Sequence, residues 1–206
     1  MIKHKDDLYM IFAKTLNHDD LDIRLAALRA VSNFLETVEK NDTKKFMTLI
    51  PNMCQVVTSA VEKDDEVVLK DALIEFNEIA EIEPKFFQSQ FQFIFQQMSP
   101  IVMKNDLTDG HIRQLPIEFF VTVIERIPSI AKKNEELLKN LIEIIFKLMI
   151  DIDEEITEAW MKPKEGFKDK ENSDDLDCED NVDFGKGCID KIISAVGDQT
   201  CLPLMS

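Results

Sequence analysis

The stretch that decides the fold reads Asp19-Asp20-Leu21-Asp22-Ile23-Arg24-Leu25-Ala26-Ala27-Leu28-Arg29-Ala30-Val31-Ser32-Asn33-Phe34-Leu35. Acids open it, where they answer the unpaired N–H groups and the positive dipole end of a helix start. Ile23, Ala27, Leu28, Val31, Phe34 and Leu35 then fall on one stripe of helical period. Ala26, Ala27 and Ala30 are small, so a neighbouring helix can come close. No reactive group interrupts the pattern. The stretch predicts a packing helix over Asp20–Glu39.

The pattern returns. Ile23 and Arg24 correspond to Val68 and Leu69, then to Ile112 and Arg113. Leu28 corresponds to Leu73 and Ile117, Val31 to Phe76 and Phe120, and Phe34 to Ile79 and Val123. The offsets are 45 and 44 residues, and a fourth copy (Phe184, Ile189, Ile192, Ala195) lies 72 residues further on. A period of about 44–47 residues is that of the HEAT and armadillo class of helical repeats. Chance likeness between amphipathic helices is the alternative. It is disfavoured because the partner helices recur at the same phase. The predicted fold is all-α, a right-handed HEAT-repeat solenoid (α-α superhelix) of about four helix pairs. The repeats fall near residues 5–39, 43–83, 86–131 and 134–197, with an acidic insertion over 151–183. Residues 198–206 read as the start of another first helix, cut short. Neither end carries a recognisable polar capping repeat, so the chain reads as an internal section of a longer array.

Composition agrees. Of 206 residues 45% are hydrophobic, enough for a core, while 5 Gly and 7 Pro are too few for a turn-rich β fold. The net charge of −16 argues against direct nucleic-acid binding, because phosphates would repel it, and in favour of a basic protein partner. Cys54, Cys178, Cys188 and Cys201 form no C-x-x-C, and His4, His18 and His111 add no metal-ligand spacing. No metal site, cofactor or signal peptide is expected.

Helices are predicted over Asp6–Asn17, with Leu8, Ile11, Phe12 and Leu16 on one face, and over Lys44–Glu62, kinked at Pro51. Val67–Ile82 follows, then the Phe-rich run Phe86–Phe95, whose stripe continues through Met98 and Val102. Five Phe residues there could stack on bases, but no Arg or Lys interleaves, so core packing is the expectation. His111–Ile130 carries Pro116 in its first turns and Pro128 near its end. Asn134 caps Glu135–Ile152, apolar but interrupted by Lys139, Glu143 and Lys147, hence a buried helix and no membrane insertion. Asp151–Asp183 then holds 14 acids and 4 lysines, a net −10. Such a run repels itself and cannot order alone, so Lys168–Asp180 is expected to be mobile. The helical pattern resumes over Val182–Gly197, weakened by Gly185 and Gly187.

The apolar helix running into Asp151, Ile152, Asp153, Glu154 and Glu155, then Trp160 and an acidic stretch, resembles the importin-β superfamily, nearest its importin beta-3 branch. Asp20–Ala27, Ile79–Lys85, Gln114–Thr122 and Cys188–Pro203 add to the resemblance, which covers the chain in order. Leu69 where Arg is common, Pro116 where a small helix former is usual, and lysines 162, 164, 168 and 170 in the acidic stretch depart from it. The resemblance implies a nuclear import receptor, monomeric and shuttling between cytoplasm and nucleus through the pore. It implies second helices on a concave face, cargo bearing basic localisation signals, release by the GTPase Ran in its GTP form, and contacts with Phe-Gly nucleoporins.

Two sets of residues are candidates for binding. Glu36, Glu81 and Glu125 share one repeat phase, with Glu78 and Glu118 close by, and would form a carboxylate ladder for a basic cargo peptide. A solvated acidic face without a partner is the competing reading. Asp151, Asp153, Glu154, Glu155, Trp160, Asp174, Asp175, Asp177, Glu179 and Asp180 would form an acidic loop for Ran or cargo, with Trp160 either docking its base on the solenoid, the favoured reading, or inserting into a partner. A HEAT scaffold of another class, serving a phosphatase or chromosomes, is the alternative function. An enzyme is not expected, since acid pairs such as Asp174 and Asp175 stand without a nucleophile or phosphate loop. Far-ultraviolet circular dichroism of the chain should be helical, and a strand-dominated spectrum would overturn the repeat reading.

Overall fold

Asp20 starts the first long helix by accepting a hydrogen bond from the Asp22 N–H at 2.9 Å. The same device recurs at the repeat interval. Asp65 accepts from the Val68 N–H at 3.1 Å, and Asp109 accepts from the His111 N–H at 3.1 Å. An Asp caps because its short carboxylate reaches the orphan amides of the first turn. The first three second helices, or the 3₁₀ turn leading into them, are thereby begun by an acid at one repeat phase.

The computed structural model describes residues 5–38, 40–151 and 176–205. Its helices are α1 (Lys5–Thr15), α2 (Leu21–Thr37), α3 (Ile50–Glu62), α4 (Glu66–Ile82), α5 (Phe91–Val102), α6 (Leu115–Arg126), the one-turn α7 (Ser129–Lys132), α8 (Glu135–Ile150) and α9 (Leu176–Val196). Short 3₁₀ segments cover Lys40–Leu49, Pro84–Phe86, Gln88–Gln90, Gly110–Arg113 and Leu202–Met205, and a helical turn covers Asp198–Cys201. Among the described residues there is no strand. The pairs are α1/α2, α3/α4, α5/α6 and α8/α9, and they stack in two layers. The second helices form one layer in the order α2, α4, α6, α9. In the first-helix layer α3 packs on α5 and α5 on α8. The architecture is the all-α HEAT-repeat solenoid.

The core runs continuously between the layers. Leu28, Leu73 and Ile117 are fully buried at matching phases, as are Val31, Phe76 and Phe120. The Phe-rich run supplies the middle of this core. Phe87 stacks on Phe76 at 5.5 Å and meets Phe119 edge-on at 4.9 Å, and Phe91 and Phe95 close on Phe120. Edge-to-face rings gain quadrupole attraction beyond their buried area. Phe93 alone of the five turns outward.

Several details differ from the sequence reading. Ile23 is 39% exposed while its counterparts Val68 and Ile112 are buried, and Arg24 is buried instead. The reason is that α4 and α6 each have a second-helix neighbour on both sides, whereas α2 has one. Ile11 is exposed for the same want of a neighbour, and of the three small residues only Ala27 is buried. Pro51 does not kink a long helix. Lys40–Leu49 is 3₁₀, and Pro51 is the second residue of α3, where the missing N–H would have had no helical partner. Pro116 holds the same place in α6. Helix α9 begins at Leu176, ahead of the expected Val182, so Asp177, Glu179 and Asp180 occupy its first turns. Acids are favoured at that end by the helix dipole. Gly185 of α9 lies against α8: a Cβ there would fall 2.3 Å from Met149 Cγ and 2.6 Å from its sulfur.

Leu28→Asp should cost about 3 kcal/mol or more, because it places an unpaired charge in a sealed layer. Chemical denaturation measures this, and an unchanged midpoint would show that α2 is not packed against its neighbours.

Candidate functional site

The second-helix layer carries the candidate ladder. Glu36 is the penultimate residue of α2, Glu81 of α4 and Glu125 of α6, and all three are exposed. Their helices are adjacent in one layer. A carboxylate in a last turn faces the negative end of the helix dipole, which works against helix stability. Glu78 and Glu118 are exposed on the same helices α4 and α6. The carboxyl of Glu118 is crowded although the residue as a whole is exposed, and desolvation pushes it above the ordinary range with Lys191 pulling back.

Cations that the sequence reading missed cross this layer. Arg29 of α2 reaches Asp71 at 2.5 Å and Glu75 at 3.3 Å on α4. Arg126 of α6 reaches Glu81 at 3.6 Å. The ladder is therefore not uniform, since Glu81 shares its charge with Arg126. The signal that could have found these pairs is the repeat itself, because partners on adjacent second helices lie roughly one period apart in sequence. Glu75 is buried, and desolvation first and then Glu78 push its carboxyl upward, opposed by Ser32 and Arg29. Along one edge of the layer, Lys70 meets Asp109 at 2.7 Å and Glu66 accepts the Thr108 N–H at 2.8 Å, which draws both acids below the ordinary carboxylate range.

The acidic-loop candidates separate. Asp151 is half-buried and bonded to Arg113 Nη2 at 2.5 Å, so it is an internal partner rather than a free loop acid. Asp153, Glu154, Glu155, Trp160, Asp174 and Asp175 lie outside the described residues, as does the docking expected of Trp160. Asp177, Glu179 and Asp180 belong to the first turns of α9, a correction to their reading as loop. Of the segment expected to be mobile, residues 176–180 are helical and 168–175 lie outside the described residues. Among the described residues no cluster of His, Cys, Asp or Glu could hold a metal, and no helix is long and apolar enough to cross a membrane.

Two family models cover nearly all of the chain: one described as "IPO5-like, TPR repeats" matches residues 2–97, and one described as "Importin repeat" matches residues 104–203. The chain belongs to the importin-β superfamily. A probable importin-5 homolog of Dictyostelium discoideum is 26% identical over 181 residues, which are 88% of this chain and 16% of that protein. The chain thus spans about a sixth of the length of this curated relative. Among solved structures, Kap121p aligns with a TM-score of 0.79 at 17% identity over 98% of this chain and 19% of its own. Kap121p bound to RanGTP aligns at 0.77 and 16% identity, covering 98% and 20%, and Kap121p bound to Nup53p at 0.78 and 18%, covering 98% and 19%. At these identities the structural likeness concerns the fold.

Replacing Glu75 tests the electrostatics of the layer. A carboxyl raised in the folded state contributes stability below its unfolded range, and that contribution is lost as pH rises through the folded value. Glu75 therefore disfavours folding at neutral pH. Glu75→Gln should raise the melting temperature at pH 7 by a few degrees at most, since Arg29 keeps Asp71 as its partner. The gain should vanish in acid, where both side chains are neutral. A loss of stability at pH 7 would show that the Arg29 pairing outweighs desolvation.

Proposed function

We propose that this chain is a section of a nuclear import receptor that binds basic localisation-signal cargo along the exposed face of its second helices. The observation that carries the proposal is the recurrence of Glu36, Glu81 and Glu125 as exposed penultimate residues of three adjacent helices. Acids placed against the helix dipole three times are not there for helix stability. Stacked helices stand about 8–10 Å apart, a spacing that suits successive basic side chains of an extended peptide. Kap121p, which shares the fold, has been solved with Ste12p, with Pho4p and with RanGTP. On this reading, which the RanGTP complex of Kap121p supports for Ran, we take Ran in its GTP form as the release factor, Phe-Gly nucleoporins as further partners, and the receptor as one that shuttles between cytoplasm and nucleus. Family membership favours transport over a scaffold of another class. The residues between Asp151 and Asp183 carry a net −10 of the chain's −16. That field attracts a basic surface of Ran or cargo over about a Debye length, ~8 Å in physiological salt, before contact.

Reversing Glu36, Glu81 and Glu125 to Lys in the full receptor should weaken basic-peptide binding on the order of tenfold or more at low salt. The effect should shrink as salt is added. Affinity equal to wild type at low salt would leave a solvated acidic face with no specific partner.

A further inference from the structure

Asp71, Glu75, Glu78 and Glu81 lie along one stripe of α4. Like charges one helical turn apart repel. Cations reach them from both neighbouring helices. Arg29 of α2 spans Asp71 and Glu75, and Arg126 of α6 meets Glu81 at 3.6 Å. At the phase of Arg126 the first and second repeats carry Thr37 and Ile82. At the phase of Arg29 the second and third carry Ile74 and Glu118. Neither cation therefore belongs to the repeating pattern of the stack. The two contacts differ in shelter. Glu75 is buried, so its bond to Arg29 helps to hold α2 on α4. Arg126 and Glu81 are 58% and 63% exposed, and an ion pair so open adds little to stability. Another cation can take the place of Arg126 at small cost to the fold.

We infer that Arg126 is a specificity-determining residue, a built-in counter-ion that withholds Glu81 so that the face reads basic side chains two helices apart, at Glu36 and Glu125. The inference rests on the cargo reading above. Glu36 and Glu125 form no ion pair among the described residues, whereas Glu81 already has its cation. Glu78 keeps no ion pair either, but it stands one turn back, about 4.5 Å along the axis, where its charge acts on Glu75. A peptide lysine aimed at Glu81 must displace Arg126, and one that only approaches is repelled by it. The outer pair costs no such exchange. Two helix spacings are about 16–20 Å, which an extended peptide crosses in about five to six residues, against about three between neighbouring helices. The favoured partner is therefore a peptide whose basic residues stand at the longer interval.

Two peptides of serine and glycine, alike in length and charge, test this on the full chain at low salt. One carries two lysines about five residues apart and the other two lysines about three apart. The wild-type chain should bind the wide pair about three-fold more tightly, the scale of one exposed ion pair. Arg126→Gln should erase that preference by strengthening binding of the close pair. Adding Glu81→Gln to Arg126→Gln should remove the gain, because the gain comes from the acid set free. Lys147→Gln removes the same charge from exposed α8, in the first-helix layer, and should leave the preference as it was. Equal affinity of the wild-type chain for the two peptides overturns the inference while the cargo reading stands. So does a gain that survives Glu81→Gln or that Lys147→Gln matches, since it would come from net charge alone. Binding of neither peptide by the wild-type chain or by Arg126→Gln overturns the cargo reading, and the inference falls with it.

Discussion

Burial of one apolar stripe per second helix is the constraint on which the rest of this structure depends. Leu28, Leu73 and Ile117 are buried, and the helices that carry them each touch both their own first helix and the next repeat. No repeat closes a core alone, so each is stable only through its neighbours. That explains why Val68 and Ile112 are buried while Ile23 is not. It also explains why the five Phe residues near Phe91 are almost all interior: they fill the junction between the second and third repeats, ring against ring, with α4 on one side and α6 on the other.

Polar contacts within and between the repeats also hold the stack, and these vary from one repeat to the next. Arg113 takes both the Val102 carbonyl and Asp151. At the matching phase of the first repeat, the side chain of Asn17 takes the Ala13 carbonyl at 2.7 Å. Arg24 is left with one bond to Ser59 at 3.1 Å, its Nε and Nη2 making no hydrogen bond. Burial pulls its guanidinium below the ordinary range, with Glu62 opposing. In the second repeat the pair becomes Leu69 and Leu107, which face a cavity of about 130 Å³ rimmed by Asp64, Asp65, Glu66 and Asp106. Lys104 supplies the cation there, at 2.9 Å from Asp106 and 3.5 Å from Asp64. An apolar pair avoids the desolvation cost of two buried ions, and the positive charge moves to a lysine at the rim.

The acidity of the chain is distributed by this architecture. Acids near helix starts cap backbone groups or accept loop amides, as Asp20, Asp65 and Glu66 do. Acids in mid-helix pair across the layer, as Asp71 does with Arg29. Those in last turns face the wrong end of the dipole, which makes Glu36, Glu81 and Glu125 the acids that stability explains least.

Periodicity was legible in the sequence because a HEAT array repeats its packing: the 45- and 44-residue offsets fix which helices are equivalent, and the stripe fixes which face turns inward. The class of fold, the helix pairs and the capping role of Asn134 follow from that alone. The candidate ladder was legible for the same reason, since Glu36, Glu81 and Glu125 share one phase. What depends on neighbours was not legible. A helical stripe gives a direction but not what stands opposite it, so Ile23, placed on the inward stripe, is exposed while its neighbour Arg24 is buried. The Arg126 bond to Glu81, the capture of Asp151 by Arg113 and the contact of Gln114 with Asn181 likewise join residues far apart in the chain. A side chain's partner is set by which helices the stack brings together, and only the tertiary structure decides that.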